Sequence, residues 1–199
     1  MVSMNEQHTS RPRTRLAPGI RRASILDAAT RLILRAGTAG LTMEDIAREA
    51  GVARGTLYLY FDSIDGITAA LRDRYTQALT GRLEPLLATG GSGSRLRRLD
   101  AFIAALARAL HEHRDLHHAL FSGSSSGEVA LTEEFRALLR RFIQDGRDTG
   151  EFTVPDLDMT TDFLLAGLHA VLAKGLHNSG STTAAVGTAQ KLARRILST

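Results

Sequence analysis

The sequence predicts an all-α fold of about nine helices. Apolar residues recur at three- and four-residue spacing through most of the chain, the signature of one helical face. No segment alternates apolar and polar residues as a half-buried strand does. Residues 42–61 read as two short helices joined by a tight turn.

A first helix is expected over 21–36, with Ile25, Ala28, Ala29, Leu32 and Ile33 as its buried stripe and Gly37 as its C-cap. Thr42 is the N-cap of the second helix, with Asp45 three residues on. Met43, Ile46, Ala47 and Ala50 share one stripe of that helix. Gly51 ends it, because glycine adopts left-handed dihedrals without steric cost. Val52 plugs the corner. The third helix, over 53–61, points Leu57 and Phe61 inward and offers Arg54, Gly55, Thr56, Tyr58 and Tyr60 on its other side. That arrangement is a helix-turn-helix, whose second helix lies in the major groove of DNA.

A fourth helix, starting near 65 and running to about 81 or slightly beyond, links two parts of the chain. Residues 89–94 (Thr-Gly-Gly-Ser-Gly-Ser) read as a flexible loop. The fifth helix, over 95–111, carries Leu99, Phe102, Ile103, Leu106 and Leu110 at helical spacing. A short helix over 115–121 ends in a second loop, 122–127, and a seventh helix covers 132–145. After a turn at 149–155 come helices over 156–177 and 182–197. The eighth carries two stripes: Leu164, Leu168 and Leu172, and Gly167, Val171 and Gly175. Small residues four apart let a second helix come close, within the chain or from another copy. The domain reading is a flexible basic arm (1–20), a helix-turn-helix domain (21–66) and a C-terminal helical domain (67–199).

Charge is unevenly distributed. The chain carries a formal +4. Arg11, Arg13, Arg15, Arg21 and Arg22 against Glu6 account for all of it within residues 1–22. Pro12, Pro18 and Gly19 are expected to keep much of this arm non-helical. Such an arm follows phosphates or enters the minor groove, or is simply a charged tail. With no cysteine, disulfides and thiolate metal sites are excluded. No apolar run approaches the roughly 18 residues of a membrane span, and the N-terminus lacks the apolar stretch of a signal peptide. A cytoplasmic location is expected, with no membrane and no cofactor.

Arg54, near the start of the recognition helix, can grip guanine O6 and N7 with its two-pronged guanidinium. Gly55 leaves the backbone free to approach the groove. The run also resembles the N-terminal domain of the TetR family of bacterial transcriptional regulators. The pattern Thr-x-x-x-Ile-Ala-x-x-Ala-Gly-Val-Ser-x-Gly-Thr-Leu-Tyr-x-Tyr-Phe is matched at Thr42, Ile46, Ala47, Ala50, Gly51, Val52, Gly55, Thr56, Leu57, Tyr58, Tyr60 and Phe61. The resemblance implies three helices in a DNA-binding domain and six in a C-terminal domain. It implies Tyr58 against a base or a thymine methyl, and phosphate contacts from Thr42, Thr56 and Tyr60. It further implies that helices eight and nine pair with their twins in a homodimer, with Leu164, Gly167, Leu168, Val171 and Gly175 at the interface. Two recognition helices about 34 Å apart then read a palindrome. Departures occur at Ala53, where a Ser or Thr cap is common, at Leu59, often polar, and at Ile64, commonly Lys.

The family's effector cavity lies in the C-terminal domain. Candidate lining residues are Leu106, Leu110, Phe121, Phe142, Phe163 and His169, which suit a small, largely apolar effector with one polar group met by His169. His111, His113, His117 and His118 cluster at the join of the fifth and sixth helices. His113 and His117 have metal-compatible spacing, but no Glu or Asp completes a binding motif, so no metal is expected. Gly123-Ser124-Ser125-Ser126-Gly127 fits the nucleophile elbow Gly-x-Ser-x-Gly. That elbow needs a strand before it and a helix after it, whereas this run lies between helices. No enzyme is expected. The reading is a homodimeric repressor of a palindromic operator on double-stranded DNA, released by a small-molecule effector. The alternative is a ligand-binding or scaffold dimer without sequence readout.

Overall fold

The computed structural model describes residues 17–88, 93–121, 133–177 and 182–198. Nine helices follow one another in them: α1 (Pro18–Ala36), α2 (Met43–Ala50), α3 (Arg54–Tyr58), α4 (Ile64–Leu87), α5 (Arg95–Glu112), α6 (Arg114–Phe121), α7 (Glu133–Asp148), α8 (Leu157–His177) and α9 (Thr182–Leu197). The only extended pairing among the described residues is an isolated bridge between Thr153 and Ser198. The chain is all-α, as its spacing requires. None of the described helices is long and apolar enough to cross a membrane. The Gly123–Gly127 run lies outside the described residues.

Two departures from the sequence expectation involve prolines. Helix α1 starts at Pro18, three residues early, and the Arg21 amide donates to Ala17 O at 3.0 Å. Pro18 therefore opens the helix instead of blocking it: in the first turn its missing N–H leaves nothing unsatisfied. Helix α4 runs past Gly81 to Leu87, through Pro85. Leu79, Leu83 and Leu87, four apart, are all buried, and this tertiary packing outweighs the proline and glycine penalties. Ser63 caps its start, accepting from the Gly66 amide at 3.1 Å.

The helices bury two cores. One, the head, unites Ile25, Ile33, Ile46, Leu57 and Phe61 with Ile67 and Leu71 from the first half of α4 and Leu120 from α6. The other, the body, gathers the second half of α4 with α5, α7, α8 and α9 around Phe102, Phe135, Leu139 and Leu168. Tyr75 packs against both. Polar contacts also tie the middle of α4 to α1 and α6. Arg72 Nε donates to Leu120 O at 2.7 Å, and Arg74 reaches Asp27 at 2.7 Å and Thr30 at 3.0 Å.

In the body, Phe152 folds over Gly146 of α7. A methyl group at Gly146 would run into the Phe152 ring, which is 3% exposed. We predict that Gly146→Ala destabilises the fold by about 1–3 kcal/mol, read as a lower urea midpoint with an unchanged slope.

His117 sits among Tyr75, Phe121 and His169, with ring centroids 5.8, 5.0 and 5.5 Å away. Burial, aided by His169 and His118, lowers its pKa from 6.5 to about 4. Burial also lowers that of His169. Among the described residues, no three His, Asp or Glu side chains are grouped to hold a metal ion. Between the unfolded and folded values of His117, the unfolded chain binds more protons, so stability falls as pH falls through that window. Melting curves should show a loss on the order of 1 kcal/mol between about pH 6.5 and about pH 4 from this group. His117→Phe should flatten that slope; an unchanged slope would assign the loss to other groups.

Candidate nucleic-acid interface

The corner between α2 and α3 is built by short-range chemistry. The Thr42 hydroxyl accepts from the Asp45 amide at 3.1 Å and donates to Asp45 Oδ2 at 2.6 Å. Its single proton is thus held by the cap, and Arg48 pairs with the same carboxylate. Gly51 takes left-handed dihedrals (φ 65°, ψ 33°). Its amide donates to Arg48 O at 3.2 Å, and the Val52 amide to Ala47 O at 3.0 Å, the paired bonds of a Schellman motif. Across the head, Glu49 receives Arg35 at 2.7 Å and Arg31 at 2.8 Å. These bonds, Arg35 first, lower the Glu49 pKa to about 2. Those two arginines are therefore committed to fixing α1 against α2.

Helix α3 is five residues long, shorter than its spacing suggests, and turns out at Leu59. Ala53 gives it no side-chain cap. Leu57 (0% exposed) and Phe61 (6%) face inward as expected. Arg54, Gly55, Tyr58 and Leu59 face solvent. Arg54 and Tyr58, one turn apart, form a pair: the guanidinium carbon lies 5.7 Å from the ring centroid and Nη2 is 3.5 Å from the hydroxyl. A side chain at Gly55 would meet nothing within 4 Å, so the chain's own packing does not demand glycine there. Thr56 is half-buried, and Tyr60 packs partly on the head core rather than standing free on the outer face. Arg21 is half-buried in the first turn of α1, and Arg22 stacks over the Phe61 ring at 5.0 Å. Arg13 and Arg15 lie outside the described residues.

Among the described residues, the six candidate pocket residues fall in three different surroundings. Leu106, Leu110 and Phe142 are buried in the body core. Phe142 is closed off by Phe152 at 5.7 Å and by the Arg95 and Arg98 guanidiniums at 5.7 and 5.5 Å. Phe121 and His169 instead flank His117. Phe163 is 67% exposed and belongs to the outside of α8. Periodicity locates an apolar stripe but does not say which of two adjacent stripes its own chain covers.

The same ambiguity redraws the helix-eight face. Leu164 and Leu168 are buried in the chain's own core, as is Gly175, while Gly167 and Val171 are half-buried. Between α8 and α9 runs an apolar groove of about 160 Å³, lined by Phe163, Gly167, Val171, Leu192 and Ile196 among others. Leu192 (49% exposed) escaped the sequence reading. Its signal is a second stripe on α9, Leu192 and Ile196, beside the buried Ala185, Ala189 and Ala193. Also missed was a cleft of about 250 Å³ where α1, α4, α5 and α6 meet, walled by Leu71, Tyr75, Ala78 and Leu116. Its trace in the sequence is Ala78, a small residue midway between Arg74 and Arg82 on α4.

Comparison with known proteins agrees with this geometry. Residues 25–71 match the family described as bacterial regulatory proteins, tetR family. Residues 92–173 match the tetracyclin repressor-like C-terminal domain. The HTH-type transcriptional repressor KstR2 of Rhodococcus jostii is 29% identical over 155 residues, covering 72% of each chain. The HTH-type transcriptional repressor NemR of Escherichia coli is 25% identical over 138 residues, 64% of this chain and 69% of that one. Among solved structures, the fatty acid degradation regulator FadR from Bacillus halodurans shares the fold, with a TM-score of 0.70 at 20% identity over 91% of this chain and 97% of that one. With its helix-turn-helix corner, its helical body and both domain matches in register, the chain belongs to the TetR family of DNA-binding transcriptional regulators.

Proposed function

We propose that the protein is a homodimeric repressor that reads a palindromic operator and is released by a small, largely apolar effector. The observation that carries the reading is the outer face of α3. There Arg54 and Tyr58 lean on each other in solvent beside Gly55, a glycine that the fold itself does not require. Arg54 reads guanine and Tyr58 contacts a base or thymine methyl. Thr56 and Tyr60 meet phosphates, Arg21 and the arm with Arg13 and Arg15 add charge, and Thr42 contributes through the α2 cap. In this reading residues 1–20, 21–66 and 67–199 carry the arm, the reading head and the effector and dimer functions.

The dimer face is the α8–α9 groove. Phe163 and Leu192 stand exposed there, and a Cβ at Gly167 would meet nothing within 4 Å, so a second helix can approach closely. An effector acts by binding more tightly to the conformation whose heads no longer match the half-sites.

Selection of bound genomic DNA at two salt concentrations tests the reading. Wild type should enrich one palindrome. Phe163→Glu should sediment as a monomer and lose that enrichment. Sequence-blind, salt-sensitive binding by wild type would instead make the protein a ligand-binding dimer without readout. On the selected operator, Arg54→Ala should weaken binding by about 1–3 kcal/mol and broaden sequence preference. Equal weakening on every sequence would reduce Arg54 to a phosphate contact.

A further inference from the structure

We propose that the cleft between α1, α4, α5 and α6 binds a small carboxylic acid with an apolar body, wedged where the head and body cores meet. The cleft measures about 250 Å³. An apolar cavity of roughly 150 Å³ takes up benzene, so this one has room for a substituted ring. Its walls come from both cores: Leu71 and Leu120 belong to the head, Leu79 and Ala109 to the body.

Three polar features select an anion. Arg74 and Arg82 line the cleft, and no Asp or Glu does. The carboxylates they pair with, Asp27 and Glu112, stand outside its lining and are about half exposed. Two hydrogen bonds from each guanidinium reach neighbouring groups, while a guanidinium has five N–H donors, so both retain donors for a ligand. The third feature is Tyr75. It lines the cleft, and its hydroxyl, closed to solvent, has no hydrogen-bond partner. A carboxylate that draws this hydroxyl into the cleft supplies the missing acceptor. Burial pushes the Tyr75 phenol up to about 12, so it remains a donor at neutral pH.

The location gives binding a consequence. An acid seated here touches Thr30 and Leu120 of the head and Leu79 and Ala109 of the body, and so fixes how the head sits on the body. The effect on DNA rests on the effector-released reading above; the binding itself does not.

The test uses full-length protein with para-methylbenzoate and its neutral isostere para-methylbenzamide at millimolar concentration. The acid should raise the melting temperature and bind at least tenfold more tightly than the amide. Tyr75→Phe should weaken the acid about tenfold and the amide, whose neutral carbonyl is the weaker acceptor, by less. Ala78→Phe, which fills the cleft from an exposed position on α4, should abolish binding; Ala78→Met serves if that variant does not fold. Equal binding of acid and amide, undiminished binding by the Ala78 variant, or no stabilisation by the acid would each overturn the proposal. Binding that leaves operator affinity unchanged upholds the site and removes effector release from it. Release of the operator by some other compound, with the acid inert, keeps the effector reading and rejects this site.

Discussion

Two hydrophobic cores share one helix, and the rest of the molecule depends on that sharing. The first half of α4 gives Ile67, Ala70 and Leu71 to the head, and the second half gives Leu79, Leu83 and Leu87 to the body. Tyr75, between the halves, touches both. A helix of 24 residues is a rod of about 36 Å. Any shift of the body helices against its second half must therefore reappear at the head.

The seating of α4 and α6 on the head is held mainly by shape. The Arg74–Asp27 pair is exposed on both sides, and exposed pairs contribute about 0–1 kcal/mol. The bond from Arg72 to Leu120 O is more sheltered, but it is one bond to one carbonyl. What remains is apolar contact from α6: Leu120 is 1% exposed within the head core, with Leu116 packed beside it. A short helix clamped by two leucines and adjoining an open cleft is an adjustable contact. Filling the cleft changes the geometry without breaking a strong bond.

The corner was legible in the sequence because its residues do local steric work. Thr42 caps within three residues, Gly51 supplies a left-handed turn, and Leu57 and Phe61 fall four apart whatever surrounds them. Helix count and order were legible for the same reason. The features that escaped are decided at long range. Pro85 lies inside a helix because Leu83 and Leu87 are buried against α5 and its neighbours. Phe163 points outward because Leu164, Leu165 and Leu168 already fill the inward face of α8. The cleft arises where four helices fail to close, and no spacing within one of them encodes that gap.

The head's charge arrangement bears on how it would discriminate between sequences. Arg31 and Arg35 are tied to Glu49 and Arg48 to Asp45, so much of the cationic surface of α1 and α2 is neutralised internally. Ala53 offers no hydroxyl to phosphate, and Ile64 no ammonium group. Phosphate contacts strengthen binding to every sequence alike, whereas base contacts strengthen it at one site. In the proposed reading, a head with few free cations binds non-specific DNA weakly, and Arg54 and Tyr58 supply a larger share of operator affinity. The ratio of specific to non-specific binding, which governs occupancy among competing genomic sites, then rests on a pair of side chains one turn apart. Because the guanidinium already lies against the phenol ring in the free protein, less side-chain freedom is left to lose when the pair enters the groove.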